Sequence, residues 1–328
     1  WNLLTWLLGL PSSSSHALFG GLIGATIAGL GVSGVLWSGI VAKVIIPALA
    51  APVIACLIST VGTSLIYGFT RRVGEQQKER GFRWGQVGTA SLVSLAHGTN
   101  DAQKTMGVIF LALVASSAID PSADIPFWVK LSCAGAIALG TYLGGWRIIR
   151  TLGKGLVEID SPQGMAAEGA SAAIILTSSH FGMALSTTHV ATGSILGTGL
   201  GRRGADVRWG VAGRMVVAWV ITLPAAAAVG AVCWLIAHGV SLVSNQLVGT
   251  GVVFLIMAAL AGYMWRHSRK NPVDSGNVNA DWETEAALSV ENGPDHPMVS
   301  AAAGEILDQD HLTPVGATAS RRQQKHGA

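Results

Sequence analysis

Apolar runs separated by short polar or basic breaks fill the chain from Trp1 to about Trp265. Roughly 20 apolar residues cross the hydrocarbon core of a bilayer as an α-helix, so run length is the first quantity to read. Residues 17–35 form a Gly-rich apolar segment behind the polar start Leu10, Pro11, Ser12, Ser13, Ser14, Ser15 and His16, whose hydroxyls suit the free N–H groups of a helix start. Residues 37–69, interrupted by Lys43, Pro47 and Pro52, are too short for two spans and predict an interfacial start followed by one crossing. Residues 87–115 and 128–146 predict two further crossings, the second with a tryptophan near each end, as an interfacial belt requires. Residues 164–199 are two short apolar pieces around a polar corner that holds Thr177, Ser178, Ser179 and His180, then Ser186, Thr187, Thr188 and His189. Residues 211–236, with Pro224 as a kink, and 247–265 complete the series, and the polar remainder from 271 to 328 lacks periodicity and predicts a disordered tail.

Basic residues fall in the breaks and set an orientation. Arg71, Arg72, Lys78, Arg80 and Arg83 form one group, Arg147, Arg150 and Lys154 a second, Arg202, Arg203 and Arg208 a third, and Arg266, Arg269 and Lys270 a fourth. By the positive-inside rule these breaks and the tail are cytoplasmic. Residues 116–126, with Asp120 and Asp124 and no basic residue, and 238–246, with no Lys or Arg, suit the outer face. The pieces within 164–199 then leave and return to one face, which predicts a re-entrant hairpin or a closely packed pair.

Inside the run 87–115 lies a polar block, Ala96 to Thr105, containing His97, Gly98, Thr99, Asn100, Asp101, Gln103 and Lys104. An acid at the centre of a membrane helix costs about 3 kcal/mol on insertion scales, so Asp101 is a functional residue by default. Gly98 and its small polar neighbours weaken the helix there, and the block is expected to be the broken middle of a discontinuous helix.

Composition supports the membrane reading: 50% of residues are hydrophobic and 12% charged, with 42 glycines and 11 tryptophans. Nine of the eighteen acids lie at or beyond Asp274, which leaves Asp101 the only acid at the centre of a long apolar run. Cys56, Cys133 and Cys233 sit in apolar segments without metal-ligand spacing, so neither a disulfide framework, nor a metal site, nor a cofactor is expected. Trp1 stands within apolar sequence, and an upstream portion is expected.

Two stretches repeat. Ser13, Ser14, Ser15 and His16 followed by Gly20 and Gly24 match Ser186, Thr187, Thr188 and His189 followed by Gly193 and Gly197, at an offset of 173 residues. Loop charges place the end of the first copy outside and of the second inside. The copies are thus inverted in the bilayer, a signature of secondary transporters. The expected fold is an all-α polytopic membrane protein of inverted-topology repeats with discontinuous helices and re-entrant hairpins. Residues 1–36 close the first repeat, 37–86 connect through one span and the basic loop, 87–266 form the second repeat, and 267–328 the tail. If the duplication is complete, a second Gly-x-Asn-Asp block precedes Trp1.

Taken together, Pro11 to His16, Gly98 to Lys104, Ser186 to His189, and Ser161, Pro162, Gln163, Gly164 through Glu168 resemble the inorganic phosphate transporter (PiT) family, most closely its low-affinity bacterial branch. The resemblance covers nearly all of residues 10–265; each block alone is weak and their conjunction is specific. Two departures stand out: Thr99 where many members have Ala, and Ala184 where a Pro usually precedes the Ser-Thr-Thr-His block. The resemblance implies a permease in the bacterial plasma membrane that carries phosphate, alone or as a neutral complex with a divalent metal, in symport with H+ or Na+. Phosphate, that cation and membrane lipid are then its partners, a homodimer is an allowed assembly, and no nucleic acid is involved.

Residue types fit those roles. The helix starts at Ser12, Ser13, Ser14 and Ser15 and at Ser186, Thr187 and Thr188 offer N–H groups, hydroxyls and a positive dipole end to a tetrahedral oxyanion. Asn100 and Asp101, with Glu168 near the hairpin, are candidates for holding the cation or proton. His16, His189, Lys104, Gln103 and Thr99 are candidate proton or path residues, with His97 and His180 beside them. Lys104 either offsets Asp101 or snorkels along an aqueous cavity. A sulfate permease of the same fold is the nearest rival, since both anions are tetrahedral. An intramembrane hydrolase fits less well, because catalysis does not require the serine and histidine to recur as a symmetric duplicate, and no enzyme is expected.

Overall fold

Small residues decide how the helices pair. The computed structural model describes residues 1–270, apart from 144, 154 and 184, together with 272 and 273. Its helices are α1 (Asn2–Leu7), α2 (Ser14–Leu30), α3 (Trp37–Ile40), α4 (Ile46–Phe69), α5 (Glu75–Ala115), α6 (Phe127–Leu143), α7 (Trp146–Gly153), α8 (Ser161–His180), α9 (Thr187–Gly201), α10 (Trp209–Val243) and α11 (Gln246–Ser268). The only strand-like pairing among the described residues is one isolated bridge, Val157 to Val207. The tail beyond Val273 and the departure at Ala184 lie outside the described residues.

Three described helical stretches, Trp37–Arg72, Trp209–Val243 and Gln246–Ser268, are long and apolar enough to cross a membrane. α6 and α7 add a fourth if they are one bent span. Leu49, Leu57, Leu131, Val220 and Leu255 are all exposed on these helices, an outward apolar surface that a bilayer solvates. The protein is an all-α, multi-pass membrane protein.

The interruption expected between residues 37 and 52 is bridged by helix instead. Between α3 and α4 the chain makes a wide π turn at Val41–Ile45. Pro47 has no N–H to return to the carbonyl of Lys43, and its ring presses on that carbonyl; a wider turn just ahead relieves the clash without ending the helix.

Two helix pairs meet along glycine ridges. A Cβ at Gly20 would press on the Leu223 carbonyl and one at Gly24 would collide with that of Ala227. On the other pair, Gly193, Gly197 and Gly201 abut the backbone of Pro52, Cys56 and Thr60. Residue numbers rise together in both cases, so α2 runs parallel to α10 and α9 parallel to α4. α8 and α9 are antiparallel, joined by Gln163 Nε2 to Thr198 O at 3.2 Å and Ser171 Oγ to Ser194 Oγ at 3.0 Å. At the far end of that pair Asp160 caps α8, is paired with Arg202 at 3.2 Å, and accepts from Tyr67 on α4.

α5 corrects the sequence-based expectation most clearly. It is a single helix of 41 residues, unbroken through Gly98, Thr99, Asn100 and Asp101. Thr99 and Thr105 return their hydroxyls to the carbonyls of Leu95 (2.7 Å) and Asp101 (3.3 Å), Asp101 pairs with Lys104 one turn on, and His97, Asn100 and Lys104 find partners on neighbouring helices. With the side chains satisfied, the backbone has no need to open. The basic segment read as a loop up to Arg83 is largely the first turns of this helix.

The two duplicated starts have nearly the same geometry. Ser13 (φ −87°, ψ 110°) accepts from His16 N at 3.2 Å, and Ser186 (φ −87°, ψ 114°) accepts from His189 N at 3.3 Å. Replacing either cap, Ser13→Ala or Ser186→Ala, is expected to cost about 1 kcal/mol. Thermal unfolding in detergent measures this, and unchanged midpoints in both variants would show that the caps are idle.

Candidate functional site

Lys104 lies three residues beyond Asp101 on α5, and one turn of helix brings their side chains to the same face. Its Nζ is 3.2 Å from Asp101 Oδ1, and it donates to Asn100 Oδ1, to Ser15 Oγ at 2.6 Å and to the Leu185 carbonyl at 2.6 Å. Ser15 belongs to the first turn of α2, and Leu185 immediately precedes the cap of α9. One ammonium thus ties both duplicated starts to the middle of α5. The ion pair is largely sheltered, with Lys104 11% and Asp101 21% exposed. The lysine neutralises the acid that the sequence leaves unexplained.

Neighbouring contacts close the ring. Asp101 Oδ2 lies 3.1 Å from His97 Nε2, which is 3.3 Å from Thr187 Oγ1. Thr188 Oγ1 donates to Ser12 O at 3.2 Å, and Ser12 Oγ shares a 2.6 Å hydrogen bond with Thr5. Asn100 Nδ2 donates to Ser179 Oγ at 2.7 Å, which fixes the amide so that its oxygen faces Lys104. A cavity of about 310 Å³ opens beside these groups; Ser12, Ser14, Thr187, Thr188 and His97 are among its lining residues. Helix geometry leaves the N–H groups of the first turns of α2 and α9 without intrahelical acceptors, so anion-binding equipment sits where the two starts converge.

The histidines lie on another side of the same junction. Pro52 cannot donate to the Ala48 carbonyl, and His189 Nδ1 lies 3.1 Å from that oxygen. The His189 ring packs against Trp219 at 4.2 Å, tilted by 33°, and Trp219 Nε1 donates to the Pro11 carbonyl at 3.0 Å. The His16 ring is 4.9 Å from the His189 ring. Among the described residues neither Nε2 has a hydrogen-bond partner, and both residues line a second cavity of about 350 Å³ between α4 and α10 that includes Pro52 and Pro224.

Other candidates stand apart. Glu168 on α8 accepts from Thr89 at 2.7 Å. Thr89 precedes Asn100 and Asp101 by 11 and 12 residues, about 17 Å along α5, so Glu168 does not contact them. Gln103 and Thr99 are on the exposed face of α5, and His180 contacts Phe181 edge-on at 5.5 Å. Ser179, the Leu185 carbonyl, Trp219 and the Ala48 carbonyl escaped sequence reasoning. Ser179 stood in the polar corner, and the Ala48 carbonyl carried a signal too, because a proline inside a helix releases the carbonyl four residues earlier.

Comparison with known proteins bears on the family and the fold. The profile of the "Phosphate transporter family" matches residues 1–230. A Mycobacterium tuberculosis protein named "Probable low-affinity inorganic phosphate transporter" is 58% identical over 320 residues, 96% of this chain and 76% of the relative. A Bacillus subtilis protein of the same name is 42% identical over 236 residues, 72% of this chain and 71% of the relative. A solved structure described as "The sodium-dependent phosphate transporter" superposes with a TM-score of 0.62 at 23% identity, covering 73% of this chain and 76% of the other, which establishes a shared fold.

Proposed function

Because this chain belongs to the phosphate transporter family, we propose that it takes up inorganic phosphate in symport with a cation, H+ or Na+, by alternating access around the junction of α2, α5 and α9. Family membership makes it a transporter and not an enzyme, which removes the hydrolase alternative. The observation that carries the mechanism is the convergence of the two capped starts on one Lys104–Asp101 pair.

Phosphate binds at the first turns, where N–H groups and the hydroxyls of Ser12, Ser14, Thr187 and Thr188 donate to its oxygens and Lys104 adds positive charge. Asp101 accepts from a protonated phosphate oxygen, an interaction that sulfate, without such a proton, cannot make; the unpaired acceptor then discriminates against it. The parallel pairings α2 with α10 and α4 with α9 support two inverted repeats that rock against each other. Pro52 and Pro224, 172 residues apart, repeat at almost the offset of the two histidines. The basic ends of the helices face the cytoplasm of a bacterial plasma membrane, and so does the tail.

Proteoliposomes test this. Labelled phosphate is expected to accumulate along an imposed proton or sodium gradient, with tenfold excess sulfate competing by less than about half, given a discrimination of the order that an unpaired buried acceptor supplies. Equal competition by sulfate would replace phosphate selectivity with general anion transport.

A further inference from the structure

Four oxygen atoms surround the Lys104 ammonium. Ser15 Oγ and the Leu185 carbonyl are each 2.6 Å away, Asp101 Oδ1 is at 3.2 Å, and Asn100 Oδ1 completes the set. They come from the start of α2, the middle of α5 and the residue ahead of the α9 cap. An ammonium carries three N–H donors and cannot direct one at each of four acceptors. A hard spherical cation has no such restriction, and it favours mixed sets of carboxylate, amide, carbonyl and hydroxyl oxygens. The cage has the chemistry of a monovalent metal-ion site, with a lysine inside it.

We propose that the Lys104 ammonium is a tethered occupant of a Na+-type site, and that removing it opens this cage to free Na+. The inference deepens the transport reading of the same junction and rests on that reading for its uptake arm only. Two features support it. The ammonium already balances the single charge of Asp101 and holds all four oxygens, so a Na+ entering beside it meets no net attraction. Asn100 is held oxygen-first toward Nζ by Ser179, so the cage keeps its shape without the lysine. Asp101, His97 and His16 are the titratable groups around the site: His97 contacts the far oxygen of Asp101, and His16 follows Ser15 at the start of α2.

Three variants of the full chain test this, compared in NaCl and in choline chloride at equal ionic strength. Lys104→Ala vacates the Nζ position, Lys104→Gln vacates it and offers another oxygen, and Lys104→Met fills it with an uncharged group. The expected result is saturable stabilisation against thermal unfolding by Na+ in Lys104→Ala or Lys104→Gln, with none in the native chain or in Lys104→Met. In proteoliposomes, phosphate uptake by the responding variant is expected to be about tenfold higher with Na+ than with choline, a difference of about 1.4 kcal/mol in cation binding. Saturable stabilisation of the native chain by Na+, or indifference of both Lys104→Ala and Lys104→Gln, overturns the proposal. A native chain that accumulates no phosphate with any cation sinks the transport reading instead, and the unfolding measurement still decides the cation site.

Discussion

Asp101→Asn is expected to cut gradient-driven phosphate accumulation about a hundredfold while the protein still inserts into the membrane. The substitution keeps the shape of the side chain and removes its charge, so the Lys104 ammonium loses the carboxylate 3.2 Å away in a site shielded from water. Breaking such a pair costs about 3 kcal/mol, the low end for buried pairs, because one charge is left without compensation. At about 1.4 kcal/mol per factor of ten, that is a loss of about two orders of magnitude in the population of a working pocket. His97, which also contacts Asp101, cannot make up the charge, since protonating it adds a second cation. The double variant Asp101→Asn/Lys104→Met removes both charges and is expected to recover thermal stability without recovering uptake. Undiminished accumulation by Asp101→Asn would end the coupling role assigned to this acid, and failure of the double variant to regain stability would show that the pair does not act as an electrostatic unit.

Gly24→Ala and Gly197→Ala are each expected to destabilise the fold by about 3 kcal/mol, the upper part of the range for overpacking, because the obstruction is backbone. The added methyl at residue 24 would meet the Ala227 carbonyl, and at residue 197 the carbonyl of Cys56. Neither main-chain group can turn aside as a side chain would, so the helices must separate along the whole ridge. Gly62→Ala on α4 is the control, since its added methyl meets nothing within 4 Å. There the substitution is expected to stabilise by up to about 1 kcal/mol through helix propensity alone. Unfolding midpoints in detergent separate the two cases. Equal behaviour of the three variants would refute close backbone contact as the basis of both pairings. A defect confined to one ridge would show that the two interfaces, similar in sequence, are unequal in energy.

Much of this molecule is legible without coordinates, but unevenly. Ser13 and Ser186 are recognisable as caps because a hydroxyl ahead of an apolar run serves a purely local need, and the structure places both as caps. The polar block of α5 misleads for the opposite reason. Gly98 and its neighbours weaken a helix by local propensity, yet Asn100 is held by Ser179, 79 residues away, and Lys104 by Leu185, 81 residues away. Those distant partners remove the reason for a break. Glu168 shares a residue type with Asp101 and nothing of its surroundings.

The sequence by itself determined run lengths that fit a bilayer, basic residues gathered in the breaks between them, and two hydroxyl-histidine starts with glycines at four-residue spacing. These follow from rules that act within a turn of helix or along the membrane normal, where neighbours in the chain are neighbours in space. Only the tertiary structure decided which helix each glycine ridge meets, that Pro52 surrenders the Ala48 carbonyl to His189, and that Lys104 joins both starts to Asp101. Contacts of that kind link residues many turns apart, and their partners are set by how whole helices pack rather than by any local pattern of residues.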